Sequence, residues 1–99
     1  MKLALFARLE AKPGKEKEVS DFLRQGLALA NQEATTLLWF ALRLGPTTFA
    51  IFDAFGDEAA RQRHLGGPIA QALMAQAPAL FATTPSIEPL EVLGAKLPA

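Results

Sequence analysis

The chain has no cysteine, no tyrosine, a single histidine, a single tryptophan and no net charge. Without thiols there is no disulfide, thiol nucleophile, iron–sulfur cluster or thiolate zinc site, and the composition fits a reducing compartment, so the cytoplasm is the expected location. Ten basic residues balance ten acidic ones over 99 residues. That balance lacks the basic excess of a nucleic-acid binder. One histidine among scattered acids makes no converging ligand set, so no metal is expected. No G-x-S-x-G motif occurs, and Gly66-Gly67 ahead of a helix lacks the rest of a nucleotide fingerprint. No apolar run approaches the ~18 residues of a membrane span. Met1-Lys2 leads into a strand-like run in place of a signal peptide's apolar core. Neither a membrane nor a nucleic acid is an expected partner.

What is present is apolar: 51% of the residues are hydrophobic. The length suits one domain over residues 1–99, with a folded core to 94 and a tail from 95, burying about 60–65% of its unfolded surface as a monomer. Residues 3–10 read as a strand ended by Lys12-Pro13-Gly14. Val19, Phe22, Leu23, Leu27 and Ala30 then recur at helical spacing behind the acidic and basic first turns. Residues 35–44 and 47–55 are strand-like and joined at Gly45-Pro46, read as a two-residue hairpin loop. Asp57 is placed to cap a helix that stops at Gly66-Gly67, and Pro68 suits the first position of a second helix. Residues 86–93 close the pattern as a strand, with Pro89 marking an edge. The order is βαββαβ, an α+β ferredoxin-like sandwich with an antiparallel sheet.

Both faces of that sheet are apolar. A two-residue loop puts Trp39, Ala41, Thr48, Ala50, Phe52 and Ala54 on one face and Leu38, Phe40, Leu42, Phe49, Ile51 and Phe55 on the other. The helices of such a unit cover one face only. A bare apolar face of about 500 Å² exceeds what most monomers expose. Burying it is worth on the order of 12 kcal/mol before entropy costs. A second copy of the chain, packed sheet to sheet, is the expected partner.

The run from Ala7 to Lys15 followed by an amphipathic helix, the strand from Phe49 to Phe55, and Asp57-Glu58-Ala59 leading to His64-Leu65 together resemble the antibiotic biosynthesis monooxygenase domain. The resemblance covers nearly the whole chain. It implies a dimeric α+β barrel, a pocket between sheet and helices, and oxidation of a small or polycyclic quinol or phenol by molecular oxygen without a cofactor. Positions where the heme-degrading branch carries an iron-ligating histidine and its companions fall on Ala7, Phe55 and Met74, which disfavours that branch. The polar aromatics of the phenol-oxidising branch are also missing.

His64 is therefore the candidate for taking a proton near neutral pH, with Asp53 orienting it or a substrate hydroxyl. As structural residues, His64 would bond the last helical carbonyls and Asp53 would pair with Arg8, Arg43 or a partner's arginine. Trp39 can stack on a planar ligand, and Arg43 can polarise a developing phenolate. Phe52, Phe55, Leu73, Met74 and Phe81, with Ile69 and Leu80, are candidates to line the pocket. Arg61 and Arg63 read as a solvated helix face. Two other functions use the same barrel: a non-catalytic dimer that binds a small molecule or serves a stress response, and an oxygen-independent isomerase or decarboxylase-like enzyme.

Overall fold

A computed structural model describes residues 1–98. Its elements run β1 (Leu3–Glu10), α1 (Glu16–Ala30), β2 (Thr36–Arg43), β3 (Thr48–Phe55), α2 (Glu58–Leu65), α3 (Pro68–Leu80) and β4 (Ser86–Glu91). The four strands form an antiparallel sheet in the order β2-β3-β1-β4. This is the expected α+β ferredoxin-like architecture. The last strand ends at Glu91, two residues before the boundary read from the sequence, and Ala99 of the expected tail lies outside the described residues.

The helix between β3 and β4 is broken where glycine and proline demand it. Asp57 accepts a hydrogen bond from the Ala60 backbone N–H at 2.9 Å and starts α2, which ends at Gly66; Pro68 then opens α3. Asp57→Ala removes that cap and is expected to cost about 1 kcal/mol. Thermal unfolding should show Tm lower by about 4–8 °C, and an unchanged Tm would deny the cap its role.

The hairpin differs from expectation by one residue. Arg43 pairs with Phe49 and Trp39 with Asp53, and the Leu44 N–H donates to the Thr48 carbonyl at 2.8 Å, so the loop is Gly45-Pro46-Thr47. Glu10 holds it by accepting from the hydroxyls of Thr47 and Thr48, each at 2.6 Å. The extra residue reverses the pairing of faces, because side chains alternate along a strand. Trp39 and Ala41 share the helix-covered face with Phe49, Ile51, Asp53 and Phe55. Leu38, Phe40 and Leu42 lie with Ala50, Phe52 and Ala54 on the opposite face.

On the covered face, Leu9, Val19, Leu23, Phe49, Leu73, Leu80 and Phe81 make the main core, with Trp39 packed against it. A second cluster of Leu5, Phe55 and Ala60 lies under α2. Arg61 does not belong to a solvated face: its guanidinium reaches the carbonyls of Ala4 and Leu90, tying α2 to the sheet. The other sheet face carries Phe6, Phe40 and Phe52 without a covering helix, and the Phe40 and Phe52 rings stack at 6.4 Å.

Candidate functional site

His64 occupies the last turn of α2 and turns inward under the second core cluster, its ring 5.3 Å from that of Phe55. It bonds no helical carbonyl. Its Nδ1 lies 2.6 Å from Glu33 Oε1, and its Nε2 lies 2.9 Å from Asp53 Oδ2. The side chains of His64 and Asp53 are 7% and 3% exposed, and that of Glu33 is 16% exposed, so the three are largely withdrawn from water. Of the two readings offered for Asp53, the contact is the one with the imidazole and not with Arg8 or Arg43. Glu33 comes from the turn between α1 and β2, and its Oε1 also accepts the Thr36 hydroxyl at 2.7 Å.

An ionised carboxylate can only accept, so the form of the imidazole that can donate to both carboxylates at once is the doubly protonated cation. Burial opposes that charge. The hydrogen bonds to Asp53 and Glu33, with their negative charges, outweigh it and raise the His64 pKa above the usual histidine value. In that form neither ring nitrogen keeps a lone pair for substrate. Two carboxylates around one cation also leave a net negative charge on the group. Asp53 Oδ1 and Glu33 Oε2 are buried and have no hydrogen-bond partner among the described residues.

An apolar cavity of about 170 Å³ lies between α1, α3 and the sheet, lined by residues that include Phe22, Leu23, Leu29, Trp39, Ile51 and Ile69. Trp39 stands directly across the β2–β3 ladder from Asp53. Its indole Nε1 is a buried donor with no partner among the described residues. Of these unpartnered groups only the indole belongs to a residue that lines the cavity. A separate surface cleft of about 260 Å³, lined by Glu33, Ala34, Thr35, Arg63, Gly67 and Pro68, opens onto the other side of His64.

Of the residues singled out from the sequence, Trp39 and Ile69 line the cavity, and Asp53, His64 and Phe55 meet at the buried group under α2. The others go elsewhere. Arg43 lies over the Phe49 ring at 4.6 Å and donates to the Pro46 carbonyl, at the hairpin end. Phe52 points to the opposite sheet face because of the three-residue loop. Leu73 and Phe81 are buried in the main core, and Met74 is half exposed above a different cleft shared with Lys12 and Pro78. Glu33 was missed. Its position after a helix looks like any solvated turn carboxylate, and the contact with His64 spans 31 positions of chain.

Gly26 shapes the cavity. A Cβ on it would stand 3.3 Å from the Trp39 ring. Gly26→Val is expected to push the indole and fill the space, weakening binding of a single-ring phenol by about tenfold, or 1.4 kcal/mol. Fluorescence of Trp39, the sole tryptophan, reads this directly. Equal affinity in the two proteins would remove the cavity from consideration as the binding site.

No protein-family model matches the chain, and no curated protein does. Solved structures do. The NE2512 protein of unknown function from Nitrosomonas europaea is 61% identical, with the match covering 99% of this chain and 95% of that one at a TM-score of 0.96. This chain belongs to its family. PA3566 from Pseudomonas aeruginosa is 25% identical over 94% of this chain and 95% of its own, with a TM-score of 0.80. An antibiotic biosynthesis monooxygenase is 18% identical over 93% of this chain and 99% of its own, with a TM-score of 0.78. The family therefore has the antibiotic biosynthesis monooxygenase fold. Among the described residues, no helix is long and apolar enough to cross a membrane.

Proposed function

We propose that the protein is a cofactor-independent monooxygenase that oxidises single-ring phenols or quinols with molecular oxygen. The observation that carries this reading is the apolar cavity lined by Trp39, whose indole Nε1 is a buried donor without a partner among the described residues. A free donor beside an apolar space suits the oxygen of a phenolic hydroxyl, which can accept a hydrogen bond. Apolar cavities of ~150 Å³ hold a benzene-sized ring. A cavity of about 170 Å³ therefore favours one ring over a polycyclic substrate.

The chemistry needs no bound group. Loss of the hydroxyl proton makes an electron-rich phenolate, which passes an electron to oxygen. The ring carbon para to the hydroxyl then forms a bond to oxygen, giving a hydroperoxide. Loss of water, with the hydrogen of that carbon, leaves a quinone that carries one oxygen atom from the gas. The dry cavity holds and orients the anion.

The same reading pairs two copies through the uncovered sheet face, where Phe6, Leu38, Phe40, Leu42 and Phe52 lie together. It also places the enzyme in the cytoplasm, in keeping with a chain that has no cysteine.

Oxygen uptake by metal-stripped protein tests the reading. With 2,6-dimethylphenol and single-ring hydroquinones, uptake above the spontaneous rate is expected, and ¹⁸O₂ should place one label in the quinone formed from the phenol. Anthrones should be poor substrates. A single-ring phenol that binds yet gives no uptake would move the assignment to a non-catalytic binding dimer. Conversion without oxygen would move it to an isomerase or decarboxylase-like enzyme.

A further inference from the structure

We infer that Trp39 makes the cavity selective for ligands that accept a hydrogen bond and donate none. The single-ring quinone formed by the proposed reaction then binds more tightly than the phenol consumed, and competes with it for the site. The inference rests on the cavity being the place of that reaction, and it names the polar group that decides which species is preferred there.

The indole is placed for this. A Cβ on Gly26 would stand 3.3 Å from Trp39 Cη2 and 3.4 Å from Cζ2. Cζ2 is bonded to the ring carbon that carries Nε1, so the nitrogen's edge of the indole faces α1, the helix that lines the cavity through Phe22, Gly26 and Leu29. Nε1 is buried and has no partner among the described residues. An indole N–H donates and cannot accept. Leaving such a donor unpaired carries a desolvation cost, which a ligand oxygen beside it removes.

The lining offers no comparable acceptor. None of its residues carries a charge. Gln25 is its one polar side chain besides Trp39, and it occupies an exposed position of α1, where water competes for the amide. The backbone is committed as well: the lining parts of α1 and α3 lie inside helices, and Ile51 is paired with Ala7 on one side and Ala41 on the other. Asp53 faces Trp39 across the ladder but does not line the cavity.

The species along the reaction differ in what they ask of this site. A phenol's oxygen accepts from Nε1, but its own O–H leaves water for an apolar space and finds no acceptor there. A phenolate oxygen and a quinone carbonyl only accept. Either keeps the bond from Nε1 and brings no unmatched donor. The site is therefore better matched to the states that follow proton loss than to the phenol, which is the direction that assists the reaction. The same match persists in the quinone and slows its departure.

Ligand titrations that need no turnover test the selectivity. Trp39 is the sole tryptophan, so its indole N–H gives one ¹H–¹⁵N cross-peak to follow. Acetophenone, a carbonyl on one ring, should bind about tenfold more tightly than phenol and move the indole proton downfield, whereas toluene should bind without that shift. In Trp39→Phe, with folding checked by circular dichroism, the advantage of acetophenone over phenol should disappear while toluene binds within about twofold of its wild-type affinity. Phenol binding as tightly as acetophenone to the wild type, or an indole proton that acetophenone leaves in place, overturns the inference without recourse to the variant. In oxygen uptake with 2,6-dimethylphenol, added 2,6-dimethyl-1,4-benzoquinone should raise the apparent KM at unchanged kcat, with an inhibition constant below KM. Uptake indifferent to the quinone overturns the inference and leaves the oxygenase reading intact. Acetophenone preferred over phenol in a protein that takes up no oxygen keeps the selectivity and overturns only the oxygenase reading. Failure of all three ring compounds to bind overturns both.

Discussion

His64→Leu is expected to destabilise the protein by about 3–5 kcal/mol, the cost of removing one partner from a buried charge pair and leaving the other uncompensated. Here two carboxylates lose their common partner, which places the effect at the upper end. For a domain of this size Tm should fall by more than about 12 °C at equal protein concentration. Leucine fills much of the space vacated, so the loss is electrostatic more than steric. The pH dependence separates these causes. In the wild type, the raised His64 pKa means that its contribution is fully present below the unfolded value of 6.5 and is lost as pH rises through the folded value. On the acid side, hydrogen bonds from Thr47 and Thr48 lower the Glu10 pKa, and hydrogen bonds from Lys17 and from Gln62 and Arg61 lower those of Asp21 and Glu58. Stability from these groups is present above their unfolded values and falls as pH drops. Wild-type stability should therefore peak between about pH 5 and 6.5. In His64→Leu the part of the profile that comes from His64 is gone, so the variant's stability should no longer fall as pH rises through the neutral range. A variant whose Tm follows the wild-type pH profile would show that the group is not an ion cluster.

On the proposed sheet-to-sheet pairing of two copies, Phe52→Asp should convert the dimer to monomers. Phe52 lies centrally on the uncovered sheet face and stacks on Phe40, so a carboxylate there would meet its own copy across a two-fold interface with no counter-ion. The dimer Kd is expected to rise at least about 100-fold, or 2.7 kcal/mol, in the range of a central aromatic anchor. Light scattering at micromolar concentration reads the mass. The variant should stay folded, because Phe52 contributes nothing to the core beneath the helices. A wild type that is monomeric at those concentrations, or a dimer untouched by Phe52→Asp, would sink the sheet-to-sheet pairing.

Element order, helix breaks and the α+β class were legible because each depends on neighbours in the sequence: Asp57 three residues before the N–H it caps, Pro68 at the start of α3, alternation through β1 and β3. Face assignment was not. It hung on whether Thr47 belonged to the loop or to the strand, a one-residue choice settled by Glu10, which grips Thr47 and Thr48 from β1. Asp53 and His64 could be named from their types, since a carboxylate on an apolar strand and a unique histidine are unusual. Their roles could not, because those depend on Glu33. A polar residue in a turn carries no local mark of being turned inward 31 positions from its partner. Leu73 and Phe81 illustrate the converse: aromatic and aliphatic residues have the same pattern whether they line a cavity or fill a core, and only packing separates them.

Glu33, Asp53 and His64 sit on three different elements, and α2 itself buries only Ala60 and His64. A short helix so sparsely anchored would ordinarily fray on its own. With its last turn bolted at two points, to the central strand and to the segment leading into β2, and its middle held by Arg61 to the carbonyls of Ala4 and Leu90, α2 opens only when these bonds break together. Its amides should then exchange with solvent in step with those of β3 and the start of β2, as one cooperative unit, and Glu33→Gln should release α2 alone into faster exchange.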